Sequence, residues 1–178
     1  LGRKLSQDDP AMGRWTYAYD AMDNLTSQTD ARGVVTHFTY DPLNRLTQKS
    51  YTIPANSGIA NPGTVTYTYD DSLKAFSKGK LTKITDSSGS TSFEHDGLGR
   101  LIKESKTIDG TTDTVQRSYD LLGRLTSLTH TDNEVASYTY NAQGGIETIT
   151  LQKGAAIQPV VSDVTYNAAG QLTKIVYG

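Results

Sequence analysis

One short signature stands at seven places along this chain: Tyr19-Asp20, Tyr40-Asp41, Tyr69-Asp70, His95-Asp96, Tyr119-Asp120, Tyr140-Asn141 and Tyr166-Asn167. Self-similarity at intervals of roughly 20 to 30 residues marks a repeat architecture, in which one supersecondary unit is laid down in series. Any fold must place the seven stations equivalently.

Four positions after the tyrosine, or after His95 in its place, stand Asp23, Asn44, Gly99, Gly123, Gly144 and Gly170. These are residue types that accept positive φ, so the column predicts a left-handed residue closing a tight turn. Pro42 suits the early turn position whose φ its ring presets. Asp20, Asp41, Asp70, Asp96 and Asp120 open the turns, where a short carboxylate accepts hydrogen bonds from backbone amides just ahead of it. A three-to-five-residue hairpin loop ending on a left-handed residue is the geometry this implies.

Before each turn the chain alternates, with Trp15, Tyr17 and Tyr19 sharing one parity, as do Phe38 with Tyr40, Tyr67 with Tyr69, Phe93 with His95, and Tyr138 with Tyr140. Period two with aromatic and Thr enrichment reads as a strand with one aromatic face. After the turn comes a second run, such as Leu81-Thr82-Lys83-Ile84, Leu125-Thr126-Ser127-Leu128 or Leu172-Thr173-Lys174-Ile175. Its two apolar residues are three apart, which a flat strand places on opposite faces. Either a bulge follows the turn or both faces are partly covered.

The links between units, Asp9 to Gly13, Asp30 to Gly33, Asp86 to Gly89 and Asp109-Gly110, carry turn chemistry of their own. The expected fold is therefore all-β, a long antiparallel meander of repeated hairpins. Roughly fourteen strands about 4.8 Å apart make a ribbon on the order of 65 Å wide. Strongly twisted sheets seldom stay flat beyond about ten strands, so such a ribbon is expected to curve strongly into part of a spiral shell. Ile53 to Gly63 reads as a long loop, Ser72 to Lys78 as an enlargement of one turn, and Gln152 to Pro159 as an extended connection.

Tyr-Asp-x-x-Gly-Arg-Leu-Thr, complete at Tyr119 to Thr126 and nearly so at Tyr40 to Thr47 and His95 to Ile102, resembles the YD or RHS repeat family. The likeness covers residues 1–178 as about seven repeats. It implies a β-strip wound into a hollow cocoon, which encloses a toxic C-terminal polypeptide in bacterial insecticidal-toxin complexes and RHS effectors, and which serves cell-surface adhesion in animal teneurins. It further implies a bacterial parent protein that is secreted or displayed at the cell surface. The partners implied are the rest of the same shell and an enclosed polypeptide. The family's self-cleaving aspartate pair is not visible, and the stations at Tyr140 and Tyr166 carry Asn for Asp, with Gly145 and Gln171 where arginine is expected. Leu1-Gly2-Arg3 looks like the tail of an earlier turn and the chain stops inside a strand, so a segment of a longer protein is expected, its edges closed by a neighbour, by more of the same chain or by crystal contacts.

Candidate chemistry is sparse. The aspartates recur at equivalent turn positions, whereas a glycosidase needs one unique pair of carboxyls. Arg45, Arg100 and Arg124, with Lys80 in the enlarged turn, form either a row pairing with the turn acids or a basic stripe for nucleic acid. A net charge of −2 and a pI near 5.9 speak against the stripe. His37, His95 and His130 are scattered, and Asp109 to Asp113 lacks the spacing of a calcium loop. Gly144-Gly145 is followed by no lysine-serine pair, as a phosphate cradle requires. There is no cysteine, and no run nears the roughly 20 apolar residues of a membrane span. No cofactor, metal or catalytic residue is expected. The second functional reading is a carbohydrate-binding or adhesion surface, with Tyr67, Tyr69, Tyr138 and Tyr140 offering ring faces to sugars.

Overall fold

The computed structural model describes residues 2–178, so Leu1 of the expected turn tail lies outside the described residues. Fifteen strands follow one another: β1 (Ser6–Asp9), β2 (Gly13–Tyr19), β3 (Leu25–Thr29), β4 (Val35–Tyr40), β5 (Leu46–Thr52), β6 (Val65–Tyr69), β7 (Leu81–Asp86), β8 (Gly89–His95), β9 (Leu101–Ile108), β10 (Thr111–Tyr119), β11 (Leu125–His130), β12 (Val135–Tyr140), β13 (Ile146–Lys153), β14 (Ala156–Tyr166) and β15 (Leu172–Tyr177). Their order in the sheet is their order in the chain, and the described residues form no helix. This is the all-β meander of hairpins that the repeat implies. The chain forms two compact units, one ending at Thr91 and the other running from Ser92 to Gly178.

In the first unit the turn column is left-handed, with φ of 67° at Asp23 and 59° at Asn44. In the second unit Gly99, Gly123, Gly144 and Gly170 take φ of 78°, 82°, 86° and 75°. The turn at Asp70 is enlarged and departs from this pattern, with Asp70 itself at φ 56° and Gly79 at 76°. The links at the opposite edge reuse the device. The Asp30 amide donates to the Val34 carbonyl and that of Gly33 to Asp30, with Gly33 at φ 80°. Asp109 and Gly110 both have positive φ, the two-residue hairpin that a right-handed strand twist favours.

A bulge resolves the three-residue apolar spacing. In the first unit Tyr19 faces Leu25 while Ala18 faces Ser27, so Thr26 has no residue opposite. Thr47 and Thr82 are skipped in the same way. In the second unit the skipped residues are Thr126, Glu147 and Thr173. One extra residue shifts the phase of the pleat, which brings Leu125 and Leu128 back to one face. The Thr82 hydroxyl donates to the Thr68 carbonyl at 2.9 Å, Thr47 to Thr39 at 3.1 Å and Thr173 to Thr165 at 3.0 Å. The bulge threonine thus occupies a carbonyl that the interrupted ladder leaves over.

One expectation is corrected. Gln152 to Pro159 is no extended connection but the end of β13, a tight turn with Gly154 at φ 60°, and the start of β14. Pro159 misled because proline is excluded from most ladders. Here it faces Thr150 beside a register shift that skips Val160, a place where a missing amide is tolerated. The loop from Ile53 to Gly63 and the enlargement from Ser72 to Lys78 both lie between strands, as expected.

Apolar burial is thin. Among the described residues only Val34 and Val161 are buried hydrophobics, at 8% and 7% exposure, and the one fully buried side chain is Thr82. Cohesion must then come from ladders and from contacts between successive hairpins. Because Gly123 sits at φ +82°, Gly123→Val is expected to lower the stability of the 178-residue chain by about 1 to 2 kcal/mol. An unchanged urea midpoint would contradict the left-handed turn.

Candidate functional site at the Tyr-Asp turns

Each turn is built around its opening side chain. Asp41 Oδ1 accepts from the amides of Leu43 and Arg45, both at 2.9 Å. The same pair of bonds recurs at Asp20, Asp96 and Asp120, and at Asn141 and Asn167 through their amide oxygens. One oxygen therefore suffices for the cap, which is why asparagine can replace aspartate at the last two stations. In the enlarged turn Asp70 Oδ1 instead takes the amide of Gly79.

The tyrosine links its hairpin to the one before. Between β3 and β4 the ladder runs only from Ser27 opposite His37 to Thr29 opposite Val35, so it stops short of Leu25. The Tyr40 hydroxyl reaches the Leu25 carbonyl at 2.9 Å. Tyr19 reaches Lys4 and Tyr69 reaches Leu46, each at 3.0 Å. In the second unit Tyr119 bonds Leu101 at 3.0 Å, Tyr140 bonds Leu125 at 2.7 Å and Tyr166 bonds Ile146 at 3.0 Å. At Leu25, Leu46, Leu101, Leu125 and Ile146 the acceptor is the first residue after the preceding turn motif. Phenylalanine would fill the same volume and leave that carbonyl unmet. His95 holds the equivalent position at the end of β8.

The arginine ties the same two hairpins a second time. Arg45 Nε donates to its own turn's Asp41 at 2.7 Å, its Nη2 donates to Asp70 of the next turn at 2.6 Å, and its guanidinium lies 4.4 Å from the Tyr69 ring centroid. Arg100 bonds Asp96 at 2.6 Å and the Asp120 carbonyl at 3.0 Å, and covers Tyr119 at 4.8 Å. Arg124 bonds Asp120 at 2.6 Å and covers Tyr140 at 4.5 Å. Arg3 bonds the Asp20 carbonyl and Asp23 and stands 5.6 Å from the Tyr19 ring. All lie within the roughly 6 Å over which a ring face attracts a cation. Where the arginine is absent, other contacts serve. Asn24 bridges Asp20 and Asn44 at 2.9 and 2.8 Å. At Gly145 an added Cβ would lie 2.8 Å from the Tyr166 ring, so that ring packs directly on the glycine.

Electrostatics and geometry give these groups a bracing role. Asp41 is held below its usual pKa first by the Arg45 amide and then by the Arg45 guanidinium, with partial burial opposing. At Asp96 and Asp120 partial burial is the largest influence and works upward, but the Arg100 and Arg124 amides and guanidinium groups together outweigh it. Asp20 and Asp70 are lowered too, chiefly by Asn24 and Arg45 respectively. A glycosidase general acid needs the opposite shift, since it must hold a proton near neutral pH. Asp41 and Asp70 share the Arg45 guanidinium, as Asp132 and Glu134 share the Lys153 ammonium. Among the described residues no three His, Asp or Glu side chains gather as metal ligands. His37 Nε2 lies 2.9 Å from the Thr52 hydroxyl in an ordinary cross-strand contact. Of the tyrosines expected to meet sugars, Tyr69 and Tyr140 each have a ring face taken by arginine, while Tyr67 and Tyr138 are half-buried on their strands.

The sequence reading missed the bulge threonines and the leucine carbonyls that receive the tyrosines. The three-residue apolar spacing offers a bulge as one of two alternatives, but not the threonine hydroxyl that bonds across it.

A repeating turn, a tyrosine bond to the preceding hairpin and an arginine brace now define the unit. The model of the RHS repeat matches residues 1–34, 19–52 and 77–114, together half of the chain. The chain belongs to the RHS-repeat family. Its fold is also that of solved toxin-complex proteins. The TcdB2-TccC3 crystal structure matches at a TM-score of 0.86 and 18% identity, covering 99% of this chain and 10% of that one. TcdB2-TccC3 without its hypervariable C-terminal region matches at 0.84 and 17%, over 97% of this chain and 9% of that one. The Photorhabdus luminescens Tc holotoxin pore with a TccC3 mutation matches at 0.86 and 19%, over 99% of this chain and 9% of that one. This RHS-repeat chain thus spans about a tenth of the length of those proteins. No curated protein matches its sequence.

Two outcomes follow from the brace. Tyr140→Phe, which removes only the hydroxyl that meets the Leu125 carbonyl, is expected to cost about 0.5 to 1.5 kcal/mol in urea unfolding. The lowered aspartates contribute stability that is present above the unfolded carboxyl pKa of about 3.9 and disappears as pH falls through their folded values. Asp120→Asn keeps the cap but not the charge, so its midpoint should fall less steeply on acidification than the parent's. Superimposable pH profiles would show that the pair with Arg124 contributes nothing.

Proposed function

We propose that this segment is wall material: part of an RHS-repeat shell in a longer, secreted bacterial protein, enclosing or carrying a C-terminal polypeptide. The observation that carries the reading is the recurrence of the Tyr and Arg ties between successive hairpins. Within each unit the motif's arginines join one hairpin to the next, station by station. Family membership and the likeness in fold to toxin-complex structures support the same reading. The mechanism is exclusion, in which a hydrogen-bonded wall keeps an unfolded or inactive cargo from solvent and proteases. Limited proteolysis of the full-length parent, with and without its repeat region, tests this. Cargo that resists protease only when the repeats are present is the expected result, and equal digestion in both would remove the proposal.

A second reading, contact with surface glycans, draws its support from Tyr67 and Tyr138, whose rings have no arginine over them among the described contacts. Binding on a glycan array that Tyr67→Ala or Tyr138→Ala abolishes would favour it over the pure shell role. Binding indifferent to both changes would exclude it.

A further inference from the structure

Ordinary turns also expose apolar side chains, Leu121 and Leu122 among them, but the enlarged turn between β6 and β7 is longer and exposes an aromatic ring. From Asp70 to Lys80 it projects Leu73 and Phe76 into solvent at 94% and 63% exposure, beside Leu43 of the preceding turn at 70%. Phe76 does so at φ 54°, a conformation that a bulky residue adopts only when its surroundings impose it. Those surroundings are well made. The Lys74 amide and the Ser77 hydroxyl both bond the Asp71 carbonyl, at 3.0 and 2.7 Å, and the Lys80 amide bonds Ser77 at 2.8 Å. Ser77 is buried, and the Lys74 ammonium folds back onto the Thr82 carbonyl at 3.2 Å. The loop is thus held in a shape that presents an aromatic ring outward. Lys78, two residues after Phe76, is exposed, and Lys80 at the end of the turn is half-buried. Of the two acids, Asp70 pairs with Arg45, which Asp41 shares, and Asp71 is capped by the Leu73 amide, so the three lysines Lys74, Lys78 and Lys80 outnumber the turn's two acids.

We propose that this turn is a peripheral anchor that inserts Phe76 and Leu73 into the headgroup layer of an anionic lipid surface, with Lys78 and Lys80 meeting the lipid phosphates. Two features select lipid over a second copy of the chain. Three apolar side chains fall well short of the roughly 1,000 Å² that a stable protein interface needs, whereas an interfacial anchor works with a few apolar residues and adjacent lysines. The exposed cation two residues from Phe76 also complements an acidic surface.

Co-sedimentation of the 178-residue chain with phosphatidylcholine vesicles, with and without phosphatidylserine, tests the anchor. Binding to the anionic vesicles that weakens with added salt is expected, with little binding to neutral ones. Phe76→Asn removes the ring while accepting the left-handed backbone, and should reduce partitioning about tenfold or more. Lys78→Ala should reduce it about fivefold. Leu122→Ser, at an ordinary turn of the other unit, should leave it unchanged, and circular dichroism of each variant checks the fold. No binding to anionic vesicles, equal binding to neutral ones, or binding that survives Phe76→Asn would overturn the proposal. So would a concentration-dependent dimer, seen by sedimentation, that Phe76→Asn abolishes.

Discussion

The carbonyl of the first residue after the turn motif, met by a tyrosine of the next hairpin at Leu25, Leu46, Leu101, Leu125 and Ile146, is the point on which the sheet depends. Successive hairpins do not pair along their full length: the ladder between β3 and β4 ends before Leu25, and that between β11 and β12 ends before Leu125. A backbone acceptor left unmet near the sheet edge costs stability and gives the next hairpin nothing to register against. The tyrosine hydroxyl fills that gap from one side and the arginine guanidinium spans it from the other. With so little apolar material fully enclosed, these ties carry cohesion that a packed core would supply in a globular domain.

The stations also show which parts of the motif are indispensable. Asn141 and Asn167 cap their turns as the aspartates do, so the cap is an acceptor first and a charge second. Arginine is replaceable in two ways, by the amide bridge of Asn24 or by the bare backbone of Gly145 against which Tyr166 closes. The tyrosine bond is the element retained at both of these altered stations. That ranking follows from physics. A half-exposed ion pair contributes little in water, whereas an unmet carbonyl is costly wherever water cannot serve it.

Much of this was legible in the residues. The column of Asp23, Asn44, Gly99, Gly123, Gly144 and Gly170 announced its backbone because few residue types tolerate positive φ, and Asp41 or Asp120 at the turn mouth announced a cap for the same local reason. The pairing of Arg45, Arg100 and Arg124 with turn acids was legible within a station, where the partner is four residues away. The stacking of each arginine on the following tyrosine was not, because it depends on how one hairpin is registered on the next. Pro159 was misread since its tolerance at a bulge is a property of the neighbouring strand and not of the peptide around it.

The chain by itself determined the unit: two short strands, an acid-capped turn with a left-handed close, and its repetition, since these rest on contacts spanning a few residues. Tertiary structure alone decided what joins the units. The carbonyl left beyond the ladder and the side chains that answer it arise from pairing between segments 15 to 25 residues apart, whose alignment no local preference sets.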